Sequence, residues 1–135
     1  MLMAFRAGPN SSAKGAVTGV NEPGEIVGWA PVAPPVAVVS YRWDPATATA
    51  GPVQPDGVRL FKVKAVDGDG RVVGAGQLAS GAPIRALRYD RRDGSVAPLD
   101  DDATTSSEPW AVNSHGHVLG ITRSGDGHQV LRVWI

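Results

Sequence analysis

Val66-Asp67-Gly68-Asp69-Gly70-Arg71-Val72-Val73-Gly74 decides the fold. An apolar residue ends one strand. Asp then opens a turn, because its side chain bonds the backbone two residues on and tolerates left-handed geometry. Gly70 follows where a positive φ is needed. A polar residue and two apolar ones start the return strand, so the segment reads as a β-hairpin. The pattern recurs as Val20-Asn21-Glu22-Pro23-Gly24-Glu25-Ile26-Val27-Gly28 and as Val112-Asn113-Ser114-His115-Gly116-His117-Val118-Leu119-Gly120. Turn glycines 24, 70 and 116 and closing glycines 28, 74 and 120 each step by 46 residues. The closing glycines are expected where a strand bends or another backbone comes close.

A second motif follows each hairpin: Ser40-Tyr41-Arg42-Trp43, Ala86-Leu87-Arg88-Tyr89 and Val130-Leu131-Arg132-Val133. Its alternation is that of a strand with the large apolar residue facing the core and the arginine facing outward or pairing with a carboxylate. Ala4-Phe5-Arg6-Ala7 is a weaker fourth copy. Asp90 to Gly94 reads as a hairpin turn leading into a further strand, Ser95 to Leu99. The Ala/Thr/Pro-rich stretch from Pro45 to Gly57 reads as a loop, and acidic Asp100 to Glu108 as a solvated one. Pro31 to Pro35 must be turn or sheet edge.

Composition agrees. The 135 residues suit one domain. Gly and Pro supply 17 and 11 of them, and 18 Val stand against 7 Leu, which favours short strands over long helices. No apolar run of ~18 residues exists to span a membrane. Thirteen basic and thirteen acidic side chains give zero net charge, against the basic stripe of a nucleic-acid binder. The absence of Cys excludes disulfides, thiolate zinc sites and a cysteine nucleophile. The N-terminal apolar run is short and broken by Arg6, so no secretion signal is read. A cytoplasmic address is the default expectation, and an extracellular one follows if a leader has been trimmed.

The repeat resembles the HAF repeat of bacterial proteins. Ala111-Val112-Asn113, Gly116 and Val118-Leu119-Gly120 match its hairpin; Ser40-Tyr41-Arg42-Trp43-Asp44 and Ala86-Leu87-Arg88-Tyr89-Asp90 match its following strand, with Arg at the Leu position. The family's His is replaced by Val39 and Arg85, and His128 lies near that place in the last unit. The resemblance implies β-propeller blades and no particular activity.

The expected architecture is all-β, with three ~46-residue four-stranded units over 15–57, 58–104 and 105–135. The strand at 3–7 would complete the last unit. One blade cannot bury its apolar faces alone, and closed propellers take about 4–8 blades. A homodimer of six blades satisfies both conditions. A three-fold closed β-trefoil or β-prism monomer is the alternative.

Candidate chemistry is sparse. His115, His117 and His128 all fall in the last unit and suggest a zinc or nickel site, but the first two occupy turn-flanking positions held elsewhere by Pro23, Asp69, Glu25 and Arg71. No metal is assigned. Asp67-Gly68-Asp69-Gly70 is similar to a calcium loop but lacks the closing Glu, and a hairpin turn explains it. No Gly-x-Ser-x-Gly elbow or phosphate-binding glycine loop is present, and no enzyme or cofactor is expected. Trp43 and Trp134 are expected between units. Trp29 and Trp110, beside Asn21 and Asn113, are the candidate ligand-binding residues, because an exposed indole near an amide suits a sugar face. The sequence therefore predicts a non-catalytic binding or interaction module with a carbohydrate or protein ligand; the rivals are a self-assembling scaffold or propeller fragment without ligand, and a lectin-like binder.

Overall fold

A computed structural model describes residues 15–32, 38–102 and 105–135. The expected strand at 3–7 and most of the Pro31 to Pro35 interruption lie outside the described residues. Among those described, the protein is all-β, with no helix and three antiparallel sheets. Sheet 1 is the meander β1 (Ala16–Val20), β2 (Ile26–Pro31), β3 (Val38–Asp44) and β4 (Thr49–Pro52). Sheet 2 repeats it with β5 (Arg59–Val66), β6 (Val72–Gln77), β7 (Arg85–Asp90) and β8 (Ser95–Pro98). Sheet 3 has three strands, β9 (Ser106–Val112), β10 (Val118–Arg123) and β11 (Gln129–Trp134).

The three hairpin turns are built alike. Gly24, Gly70 and Gly116 have φ of 91°, 85° and 81°. Each donates its N–H to the carbonyl of the turn-opening residue, Asn21, Asp67 or Asn113, at 3.0, 3.1 and 3.0 Å. The side-chain Oδ1 of that residue accepts the N–H of Glu25, Arg71 or His117 four residues on. Asn and Asp thus replace a missing ladder partner in every turn.

Behind each turn the first strand is bulged. Thr18, Lys64 and Trp110 are the extra residues, each between two residues paired to β2, β6 or β10. A closing glycine faces each bulge. A Cβ on Gly74 would sit 2.5 Å from the Lys62 carbonyl oxygen and 2.7 Å from the Phe61 ring, and one on Gly120 would collide with the Glu108 carbonyl. The kinked strand occupies the space a side chain would need.

Sheets stack serially: β5 lies against β1, β2 and β3, and β9 against β5, β6 and β7. Two apolar layers result. Val27 and Val53 of the first unit pack with Phe61, Val63, Val66, Val72 and Leu87, with Tyr89 and Val96 at the margin. Ala65 and Val73 pack with Val118, Val112 and Trp134. Full burial of Phe61 and Leu87 is worth about 2–3 kcal/mol each. Hydroxyls seal both layers. Ser40 Oγ donates to Phe61 O and accepts from Val63 N, both at 2.9 Å. At the second layer Ser107 Oγ accepts from Ala86 N at 2.7 Å. Ser40 corresponds to Ala86 and Phe61 to Ser107 in the 46-residue step, so the same pair of positions is bridged by a hydroxyl in both layers, donating to a carbonyl from Ser40 and accepting from an amide at Ser107.

Three expectations need correction. The stretch from Pro45 to Gly57 is not all loop, because β4 forms there as the counterpart of β8. Its Thr-Ala-Gly-Pro sequence hides it, since an edge strand can carry a proline and needs little apolar content. Asp100 does not lie in a solvated loop but is buried against Arg85, and β9 already begins at Ser106.

The third correction is the register of β11. Gly28 pairs with Tyr41 and Gly74 with Leu87, but Gly120 pairs with Arg132. The short turn from Ser124 to His128, closed by Ser124 N to His128 O at 3.0 Å, sets this pairing. A one-residue slip moves every side chain to the opposite face. Trp134, not Val133, therefore takes the place of Trp43 and Tyr89, and Leu131 points away from sheet 2.

Gly74→Ala should lower stability by about 2 kcal/mol through overpacking against the bulge. Gly51→Ala, with nothing within 4 Å of its added methyl, should change stability by less than about 0.5 kcal/mol. Urea denaturation checks both, and equal midpoints would contradict the bulge contact.

Candidate binding site

The turns of the three β-hairpins that open the sheets converge. Residues 20–22, 66–68 and 112–114 line one cavity of about 530 Å³. Each run holds a strand-ending valine, the turn-opening Asn or Asp, and the first turn residue, so the repeat itself contributes three equivalent walls. Asn21 and Asn113, both expected in a site, are brought together here with Asp67.

The polar side chains of this cavity hold its walls in place. Asn21 Nδ2 donates to Glu25 Oε1 at 2.8 Å and, across the sheets, to the Asp67 carbonyl oxygen at 2.9 Å. Asp67 is buried, and its carboxylate accepts from Asp69 N, Arg71 N and Arg71 Nε at 2.9, 3.0 and 3.0 Å. This set of donors fills the loop that resembled a calcium site. Asp has no donor with which to repeat the Asn21 bridge, so sheet 2 reaches sheet 3 differently: Arg88 Nη2 donates to the Gly116 carbonyl at 2.5 Å. Buried Glu25 is clamped by Arg42 of its own sheet and by Arg91 of sheet 2, the latter at 3.2 Å.

The tryptophans lie elsewhere. Trp29 is half-buried on β2, where the Lys62 ammonium sits 4.4 Å from its ring centroid. That cation–π contact across sheets 1 and 2 takes the ring face a sugar would use. Trp110 is the bulge residue of β9 and is 49% exposed. Neither lines the cavity, so the four expected ligand-binding residues do not form one site.

Nor do the histidines converge. His115 and His117 belong to the β9–β10 turn region, with ring centroids 5.9 Å apart and rings 22° from parallel. His128 lies past the far end of β10, about 16 Å along the strand at ~3.3 Å per residue, and its Nδ1 is 2.8 Å from Asp126 Oδ2. Among the described residues no group of three His, Asp or Glu side chains is placed to hold a metal ion.

A second cavity of about 450 Å³ opens between the end of sheet 2 and β11, lined by Leu99, Asp100, Thr122, Arg132 and Trp134 among others. Asp100 of its wall is held from behind by a buried ion pair: Arg85 Nη2 lies 2.9 Å from Asp100 Oδ1 and donates to the Asp100 carbonyl at 2.7 Å, and Ser107 Oγ donates to Asp100 Oδ2. Arg85 and Asp100 are far apart in sequence, and nothing local marks them as a pair. Compared with protein-family models, curated proteins and solved structures, the chain matches none.

Two outcomes follow from these contacts. Arg85→Met should cost about 3 kcal/mol, because a buried carboxylate loses its cation. Adding Asp100→Leu should recover part of that loss, as chemical denaturation would show. Asp126 is held down to about 2 from 3.8, first by the Ser124 hydroxyl and then by His128. A depressed acid stabilises the fold fully above its unfolded value, so this support for the β10–β11 turn is complete above pH 3.8 and is lost as pH falls through about 2. Carboxyl-carbon NMR should give an Asp126 midpoint near 2, and a midpoint near 3.8 would refute the contact.

Proposed function

We propose that this chain is a non-catalytic binding module built of β-propeller-like units, with its ligand site at the cavity where the three turns meet. One observation carries the reading: residues one repeat apart, drawn from three sheets, wall a single cavity of about 530 Å³. That volume lies within the range of small-molecule and peptide-side-chain pockets. A catalytic carboxylate must be free to exchange its proton with a substrate. That of Asp67, which sits in the cavity wall, is instead occupied by two backbone amides and Arg71, which favours binding over catalysis at Asp67. The valines offer apolar contact, and the Glu22 and Ser114 side chains stand at the cavity to orient a polar ligand. The resemblance to the HAF repeat accords with this reading, since it implies blades without a fixed activity.

A lectin-like reading rests on a different residue, the half-exposed Trp110. NMR titration with acetylated dipeptide amides and with methyl glycosides separates the two. Shifts at residues 20–22, 66–68 and 112–114 with the peptides are expected. Shifts confined to the Trp110 indole with the glycosides would move the site there. Silence at roughly 10 mM of both probes, where even a millimolar site fills, would end the binding proposal.

A further inference from the structure

Sheet 3 presents to solvent the surface that sheet 2 hides. In sheet 2 the side facing sheet 3 carries Ala65, Val73, Ala75 and Ala86, all buried. The same side of sheet 3 carries Ala111, Leu119, Leu131 and Val133, all exposed, around a buried Ile121, matched to those positions by the repeat and the β11 register. Leu131 is 63% and Val133 61% exposed. The bulge residues show the same break. Thr18 of sheet 1 donates to the Val63 carbonyl of sheet 2 at 3.0 Å, and Lys64 of sheet 2 pairs with Glu108 of sheet 3 at 3.2 Å. Trp110, next in that series, reaches out from the uncovered face.

The opposite end of the stack has the complementary surface. Sheet 2 receives sheet 1 on Val63, Val66, Val72, Leu87 and Tyr89. One repeat earlier these positions are Val17, Val20, Ile26, Tyr41 and Trp43. Val17 is 56% and Val20 67% exposed, and the other three are partly exposed. The partner position for Trp110 is Ala16, since Glu108 steps back through Lys62 to Ala16. A large indole would there meet a small methyl in place of the Lys64–Glu108 ion pair, so no charge is left unpaired.

We infer that the outer face of sheet 3 docks on the outer face of sheet 1 of a second copy of this chain, head to tail, and that two copies close a ring of six sheets. The contact that joins sheet 1 to sheet 2 and sheet 2 to sheet 3 is made once more, between molecules, with the same strand positions on each side. A head-to-tail contact either closes or grows into a filament. Six sheets fall within the range of about four to eight at which blades of this kind close, and nine do not. This inference stands apart from the ligand cavity, and either can fail without the other.

Light scattering across the micromolar range tests it, with Leu131→Asp and Val17→Asp as variants. The wild-type chain should run at twice its 14.0 kDa mass, and each variant alone at the single-chain mass. An equimolar mixture should recover a two-chain species, because one of its two contacts is then intact. Both substituted positions are already more than half exposed, and far-UV circular dichroism checks that the sheets persist. Leu131→Ala, a milder change, should weaken pairing about tenfold. A wild-type mass of one chain throughout, or a mass that climbs without limit, overturns the inference. So does pairing by either Asp variant alone, which marks a face-to-face dimer, or a mixture no heavier than its components.

Discussion

Every sheet in this protein is apolar on both faces, and that one condition shapes the rest. Valine supplies most of the contact, and its small branched side chain fills the gap between two sheets without reaching past it. Val27 and Leu87 bury one layer, and Val73 and Val118 the next. Sheet 2 has no solvent face of its own: sheet 1 covers one side and sheet 3 the other, so the described sheets stack in series.

The bulge on the first strand of each sheet makes the series regular. Thr18, Lys64 and Trp110 are displaced from the ladder, and Gly74 and Gly120 opposite the last two give the kinked backbone room. Thr18 and Lys64 then reach the following sheet. One geometry serves a hydroxyl and an ammonium in turn, so the chemistry at this position varies while the packing does not. The serine hydroxyls at the two layers show the same tolerance, because Ser40 and Ser107 bridge the same pair of positions from opposite sides, one as donor and one as acceptor.

Polar side chains near the cavity serve the turns first. Asn21, Asp67 and Asn113 close three like hairpins, and the Asn21 amide also bridges two sheets, which the Asp67 carboxylate has no donor to do. Convergence of the turns is a consequence of serial stacking: three equal hairpins placed on successive sheets bring equal residues to one place. A pocket built this way arises from the repeat and not from a dedicated loop.

The hairpins, their turn chemistry and the 46-residue step were legible in the sequence, because Asn or Asp followed by Gly encodes a turn through contacts within five residues. The all-β class followed from valine, glycine and proline content for the same local reason. The register of β11 was not legible. Leu131-Arg132 imitates Leu87-Arg88, and only the tight turn at Ser124 to His128 shows that the pairing is offset by one. The edge strand β4 carries too little apolar content to stand out. The burial of Asp100 by Arg85, the capture of Trp29 by Lys62 and the meeting of Asn21 with Asn113 join residues from different strands or sheets. Their proximity depends on how one sheet lies on the next, and such distances belong to the packed molecule alone.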